Sequence, residues 1–302
     1  MINTYEVSII IVTFNTRELT DNCIKSIFKF SEGLSFEIIL VDNASTDGSK
    51  EFFENYDGIK YLYLDQNLGF GKANNLGVEL ATGEYVFFLN SDTILIENSI
   101  TKIVSFFEQN IDKLKIGSLG CVLIDENHNL THSSQNIPSS YSILKTLFLS
   151  NFFQSYGRDL KNTELKQYKN TVTEVGYVTG ADLMIKRDVF LKLGGFHHIF
   201  FMYYEDSYLH YELKNKLHLK SYIINTTKII HLEGQSSNPI SLSKLYMIEK
   251  SLLHYARLTS SLFCYQLFKI FYFFLRFQVL LNRKKSWNEK IKYLKQLFKL
   301  IT

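Results

Sequence analysis

Residues 84–92, Glu-Tyr-Val-Phe-Phe-Leu-Asn-Ser-Asp, constrain the fold more than any other stretch of this chain. Tyr85 to Leu89 is an apolar, aromatic run of strand length, entered through Thr82-Gly83 and too short for a helix. A run that is apolar on both faces suits a buried strand in the middle of a largely parallel sheet. It stops at Asn90-Ser91-Asp92, placing an amide and a carboxylate at the strand's carboxyl end. That edge is where open α/β sheets bind ligands. Taken alone, Asn-Ser-Asp also reads as a turn in which Asp92 caps a helix starting near Ile96.

The rest of the first half repeats the pattern. Val7–Thr13 is a β-branched strand, followed by Phe14-Asn15-Thr16 and a helix with Leu19, Cys23, Ile24, Ile27 and Phe28 on one face. Phe36–Val41 ends on Asp42-Asn43-Ala44-Ser45-Thr46, where Ser45 or Thr46 is available to cap a helix through Phe52 and Phe53. Ile59–Tyr63 is a third strand, and Asn67 to Asn75 opens a helix through Leu76, Val78 and Leu80. Beyond Asp92 come a helix around Ile96–Phe107 and a strand near Gly117–Ile124. Such alternation predicts an α/β fold with a mainly parallel sheet and flanking helices. The first strand–helix turn lacks G-x-G-x-x-G and no P-loop occurs, which excludes both common phosphate-cradling motifs. Gly69 and Gly71 read as backbone permissiveness at a tight, ligand-facing turn.

Residues 125–175 are polar and poorly periodic, apart from an aromatic patch at Tyr141–Phe153 that suits a short helix or lid. A strand over Tyr177–Ile185, a helix over Arg187–Leu193 and Gly194-Gly195-Phe196 follow. Phe200 to Tyr204 is a second aromatic run ending in carboxylates, Glu205-Asp206. A helix through Leu209, Leu213 and Leu217 leads to strands at Ser221–Ile224 and Lys228–His231. After Pro239 the sequence becomes helix-forming throughout, which divides the chain into a domain over 1–238 and a helical, basic and aromatic extension over 239–302. Leu262–Leu281 has the length to span a bilayer, but Lys269 and Arg276 make spanning costly. Beside Arg283-Lys284-Lys285 and the amphipathic Lys290–Leu300 it reads as a membrane-surface anchor. A helical pair packed on the domain or at a dimer interface is the other reading.

The formal charge of +3 is too small to indicate nucleic acid. Three cysteines, widely spaced in apolar runs, suit reduced core thiols in the cytoplasm. The opening Met-Ile-Asn-Thr-Tyr-Glu runs into a strand with neither a basic region nor a cleavable apolar segment, so no export is expected.

Polar clusters therefore follow strands or aromatic runs at Thr13-Asn15, Asp42-Asn43-Ser45, Asn90-Asp92 and Glu205-Asp206, with His231 as a fifth polar point. These are parts that a nucleoside diphosphate needs. Carboxylate and amides can meet a base and ribose, and Asp92 is an oxygen ligand that suits Mg²⁺ or Mn²⁺ beside phosphates.

Several motifs, in order, carry a resemblance: Val-Ser-Ile-Ile-Ile-Val-Thr-Phe-Asn, Val-Asp-Asn-Ala-Ser-Thr-Asp-Gly-Ser, Asn-Leu-Gly-Phe-Gly-Lys-Ala-Asn-Asn, Leu-Asn-Ser-Asp, Gly-Gly-Phe and Phe-Phe-Met-Tyr-Tyr-Glu-Asp. Over roughly residues 5–235 they resemble the inverting family 2 glycosyltransferases, and most closely the rhamnosyltransferase-like branch that builds bacterial surface polysaccharides. The resemblance implies a GT-A fold, a nucleotide-sugar donor, a divalent metal, and a glycan or lipid-linked acceptor met at the inner face of the cell membrane. Carried over by position, Thr13 and Asn15 line the nucleotide pocket with Asn43, Asp42 contacts the base, and Asn67, Gly71 and Asn74 border ribose and diphosphate. Asn90 and Asp92 stand at the D-x-D position with Asp92 on the metal. His231 aligns with a histidine that completes the metal site in some relatives. Asp206 is the base and Glu205 its neighbour on the acceptor side. The chain departs from the family pattern in three places: only one acid in Asn90-Ser91-Asp92, His197-His198 after Gly-Gly-Phe, and Tyr208 in place of a frequent acid. A non-catalytic assembly subunit is the alternative function. The paired presence of Asp92 and Asp206 argues against it, since a scaffold needs neither.

Overall fold

The computed structural model describes residues 5–152, 168, 170–232, 241–277 and 287–301. In chain order the elements are β1 (Tyr5–Thr13), α1 (Arg17–Phe30), β2 (Phe36–Asp42), α2 (Ser49–Phe53), β3 (Ile59–Tyr63), α3 (Phe70–Glu79), β4 (Gly83–Asn90), β5 (Thr93–Leu95), α4 (Ser99–Leu114) and β6 (Ile116–Ile124). They continue with β7 (Ser134–Gln135), α5 (Ser140–Phe152), β8 (Val172–Val175), β9 (Tyr177–Val178), β10 (Asp182–Lys186), α6 (Arg187–Lys192), α7 (Glu205–Leu217), β11 (Lys220–His231), α8 (Leu242–Thr259), α9 (Leu262–Phe277) and α10 (Trp287–Ile301). Two compact units result. One comprises Met1–Ile137, Leu165–Phe201 and Glu205–Ser236; the other comprises Pro138–Glu164, Met202–Tyr204 and Ser237–Thr302.

The first unit is built on a sheet of order β3-β2-β1-β4-β10-β6-β11-β5, with β8 also on β11. Strands β3, β2, β1 and β4 run parallel, as do β6 and β11, so the expected mainly parallel sheet is present. Strand β10 lies antiparallel between β4 and β6. Side chains alternate across the sheet with a period of two. Ile9, Ile11, Phe87 and Leu89 join Cys23, Ile27, Ile103 and Phe107 in one core layer, and Ile10, Val86 and Phe88 join Val78, Phe190 and Leu209 in the other. Register fixes the functional edge: Thr13 is paired with Asp42 and Val12 with Asn90, so β1, β2 and β4 end level.

Several local expectations are revised. Asp92 does not cap a helix, because β5 follows it and pairs antiparallel with β11; α4 begins only at Ser99. Neither Ser45 nor Thr46 caps α2, whose N-cap is Gly48 at φ +81°. Tyr177–Ile185 is broken by a turn into β9 and β10, since β9 pairs with β7 outside the main sheet. Ser221–Ile224 and Lys228–His231 are one strand with a register shift against β6. Cys23 and Cys121 are buried core thiols, but Cys264 is exposed on α9.

In the second unit, Tyr141–Phe153 is largely accounted for by helix α5, Phe153 lying outside the described residues. The buried face of α9 carries Phe268 and Tyr272, and that of α10 carries Tyr293 and Leu297. Both lean on Glu249 of α8, which is 1% exposed: Arg276 Nε lies 2.8 Å from its Oε1 and Tyr293 Oη donates to it at 2.7 Å. Arg276 is thus an internal ion-pair partner. Of Leu262–Leu281, residues 278–281 lie outside the described residues, and among those described no helix is long and apolar enough to cross a membrane.

Candidate active site

The carboxyl edge of β1 and β2 is a knot of polar groups bonded to one another. Thr13 Oγ1 lies 3.0 Å from Thr16 Oγ1 and 2.8 Å from Thr20 Oγ1, and Thr16 meets Ser91 at 3.1 Å. Asn15, exposed and in the left-handed region at φ +56°, donates its N–H to Ser45 Oγ and accepts the Thr46 N–H at 2.7 Å. Asp42 is fully buried, with Oδ1 accepting from Ser45 N and Oδ2 from Tyr61 Oη, both at 2.8 Å. Asn43 reaches across to the next loop, donating to Asn67 Oδ1 at 3.0 Å and accepting from Leu68 N at 2.8 Å. That loop turns at Gly69, φ +84°, where an added Cβ would lie 2.0 Å from the Phe201 carbonyl oxygen. Gly69 therefore carries the conformational demand. Gly71 is a packing glycine whose Cβ would lie 3.0 Å from Phe196. Asn74 is buried within α3, donating to Phe70 O. Thr13, Asp42 and Asn74 are walls of this region, while Asn15 and the half-buried Asn67 reach its surface.

The second cluster joins residues far apart in sequence. Thr93 pairs with His231 across β5 and β11, and Leu232 N donates to Asp92 O at 3.0 Å. This brings His231 Nε2 to 3.3 Å from Asp92 Oδ1 and 3.3 Å from Asn90 Nδ2. His231 is buried and Asp92 partly exposed. The Asp92 carboxylate and the His231 imidazole nitrogen are ligand types that fit a small divalent cation retaining water and phosphate oxygens, while Asn90 presents its Nδ2 beside them. No larger group of His, Cys, Asp and Glu suited to a metal exists among the described residues.

The third cluster is the first turn of α7. Asp206 accepts the N–H groups of Gly180 and Ser207, the latter at 2.6 Å, yet burial outweighs them and raises its pKa above the ordinary carboxylate value. Glu205 is more deeply buried than Asp206. One turn on, His210 Nδ1 donates to the Asp206 carbonyl at 2.7 Å and its Nε2 accepts from Val178 N at 3.2 Å. Burial lowers the His210 pKa to about 4, so the ring is neutral. Tyr208 donates to Glu212 at 2.9 Å, which places an acid one turn beyond the position where the motif has one.

Residues 8–194 match the family described as Glycosyl transferase family 2. This chain is a family 2 glycosyl transferase. It is 33% identical over 104 residues to the putative teichuronic acid biosynthesis glycosyltransferase TuaG of Bacillus subtilis, covering 33% of this chain and 41% of that protein. It is 27% identical over 181 residues to the rhamnosyltransferase WbbL of Escherichia coli, covering 57% and 63%. The matches thus span about two fifths to two thirds of the relatives' own length. Among solved structures it resembles the mannosyltransferase PcManGT of Pyrobaculum calidifontis, in complex with GDP-Man and Mn²⁺, at TM-score 0.53 and 16% identity over 83% of this chain and 63% of that one. Residues 1–349 of TarS from S. aureus give TM-score 0.53 and 16% identity over 98% and 71%. These likenesses establish the expected GT-A type of fold.

The sequence missed the turn that links the clusters of this family 2 glycosyl transferase. Between β9 and β10, Gly180 gives its N–H to Asp206, and the next residue, Ala181, accepts the N–H of Asn90 at 3.1 Å. Asp182 then lies fully buried with Oδ2 on the Cys121 N–H at 2.7 Å, and burial raises its pKa well above the ordinary carboxylate value. Tyr61, which bonds Asp42, was equally invisible, because the contact depends on the β2–β3 register that sets Tyr63 beside Asp42.

Proposed function

We propose that this glycosyl transferase moves a sugar from a nucleoside-diphosphate donor to a hydroxyl of a bacterial surface glycan or lipid-linked acceptor, with inversion at the anomeric carbon. One observation carries the reading: the turn at Gly180-Ala181 ties Asp206 to the strand end that bears Asn90 and Asp92, so a poised base and an ion-binding group share one rim. Thr13, Asn15, Asp42, Asn43, Asn67, Gly71 and Asn74 belong to the donor's nucleotide side, with Asn15 and Asn67 as its accessible amides. Asp92 and His231, with Asn90 beside them, are the residues that would hold Mn²⁺ or Mg²⁺, which supplies positive charge against the departing diphosphate.

The chemistry left to the chain is proton removal. Asp206, ionised, accepts the acceptor hydroxyl's proton as that oxygen bonds to the anomeric carbon, and the bond from that carbon to the diphosphate oxygen breaks on the opposite face. Glu205 orients the acceptor. Residues 1–238 form the catalytic domain and 239–302 an extension that works at the inner face of the cell membrane, where a lipid-linked acceptor lies. Rhamnose is the donor sugar to try first, by likeness to WbbL.

A thermal-shift screen of dTDP-, UDP- and GDP-linked sugars with Mn²⁺ tests this. A true donor at a hundredfold excess over its Kd stabilises the fold by about 2.7 kcal/mol. A protein that neither responds to any donor nor hydrolyses one is an assembly subunit instead.

A further inference from the structure

The second unit leaves a large apolar surface that its own packing does not use. On α9, Phe263, Leu267, Ile270, Phe271, Phe274 and Phe277 are all exposed, from 41% to 73%. Steps of three and four residues place them on one face of the helix. The opposite face is buried through Phe268 and Tyr272, and Arg276 is drawn inward to Glu249. Helix α10 repeats the arrangement: Tyr293 and Leu297 are buried, whereas Trp287, Ile291 and Phe298 are exposed together with Lys292, Lys295 and Lys299.

Charge selects the occupant. Residues 262–302 hold nine lysines and arginines against the single acid Glu289, a charge of +8 in a chain whose total is +3, so the remainder carries −5. A surface that is both aromatic and this cationic repels a second copy of itself and attracts an anionic one that also offers hydrocarbon. Helix α9, at 16 residues, is roughly 24 Å long, short of the ~30 Å hydrocarbon core, and one side is committed to α8. It can lie in an interface and cannot span one.

We propose that the exposed faces of α9 and α10 dock on the surface of an anionic phospholipid bilayer, the α9 stripe entering the acyl boundary and the α10 lysines meeting lipid phosphates. This deepens the reading of a membrane-borne acceptor, but binding to lipid is measurable without any transfer.

Trp287 is the chain's only tryptophan and is 76% exposed, which makes it a reporter placed on the docking face. Mixing full-length protein with phosphatidylcholine vesicles containing phosphatidylglycerol should shift its emission to shorter wavelength, allow quenching by brominated acyl chains, and sediment the protein. Replacing Lys292, Lys295 and Lys299 together by Gln should weaken partitioning roughly a hundredfold, at about fivefold per lysine. The triple variant Phe263→Ser, Phe271→Ser, Phe274→Ser should lose it at least as fully in low salt. Circular dichroism should be unchanged in both, because the altered side chains are exposed. Unshifted Trp287 emission with protein left in the supernatant overturns the proposal. So does a dimer in light scattering that the phenylalanine variant dissociates. Donor hydrolysis that persists in either case leaves the glycosyl-transfer reading standing.

Discussion

At the amino-terminal edge of the sheet, Glu37 of β2 is buried with hydrogen-bond donors and a lysine; at the carboxyl edge, Asp206 is half-buried with only N–H and hydroxyl donors. Glu37 accepts from Ser8 Oγ at 2.6 Å, Thr82 N at 2.7 Å and Thr82 Oγ1 at 2.9 Å, and pairs with Lys60 at 2.6 Å. Burial alone would raise its pKa, but Lys60, Ser8 and Thr82 outweigh it and hold the carboxyl below its ordinary value. Asp206 has no ion pair among the described residues, and burial wins there in the opposite direction. A carboxylate that holds structure is kept ionised by a cation, whereas one fit to take a proton is left desolvated. The two edges differ in what surrounds a carboxyl: a lysine at Glu37 and no cation at Asp206.

The hardest test of the working edge is Asp92→Asn. Transfer should fall at least about a thousandfold, since the counter-charge to the leaving diphosphate is worth several kcal/mol. EDTA should do the same to the unaltered protein. Undiminished transfer in both experiments would mean that this edge works without metal.

Next in size is the proposed base. Asp206→Asn should lower kcat by about 10²–10⁴ with donor affinity nearly unchanged, and Glu205→Gln by less. If Asp206 is the base proposed above it must be ionised to act, and because its pKa is raised, kcat should decline on acidification at a pH above the ordinary carboxylate value of 3.8. Retention of the donor's anomeric configuration in the product would remove Asp206 from this role.

Much of this contrast could be read in the chain, and the reason is local. The strands β1 to β4 and their polar ends are contiguous segments, so apolar runs stopping at Thr13, Asp42 and Asn90 disclose one edge. Pairings across the sheet are a different matter. That Asp92 meets His231 follows from β5 lying against β11, and β5 has three residues in a stretch that reads as a helix start. The Gly180 turn was hidden inside an apolar run whose break depends on β9 leaving the sheet for β7. Glu37 gave no sign at all, because Ser8, Lys60 and Thr82 reach it from three other segments. Composition marked the tail as apolar and basic, but not that Arg276 turns inward while the aromatic stripe turns out.

At the structural edge, Glu37→Ala should cost about 3 kcal/mol of stability in urea unfolding, because Ser8 and Thr82 lose a charged acceptor in a buried place. kcat should stay near that of the unaltered protein. A comparable loss of kcat at full folding would show that the two edges are not separable in this way.

The smallest effect separates the edges by pH. His210 stands beneath Asp206, holding the first turn of α7 to Val178 as a neutral ring. Its pKa of about 4 in the folded protein lies below the ordinary 6.5, so the unfolded chain binds the proton more readily. Its contribution is therefore complete above pH 6.5 and is lost as pH falls toward 4, amounting to about 2 kcal/mol between pH 7.5 and pH 5. Glu37 works in a lower window: its pKa is depressed from 4.5, so its contribution is present above that value and is lost only below it. Urea unfolding of the unaltered protein and of His210→Gln at pH 7.5 and pH 5 isolates the histidine. The unaltered protein should lose about 2 kcal/mol more than the variant over that interval. Equal losses would show that the ring is not held neutral, and that the carboxyl edge has no acid sensitivity of its own above pH 5.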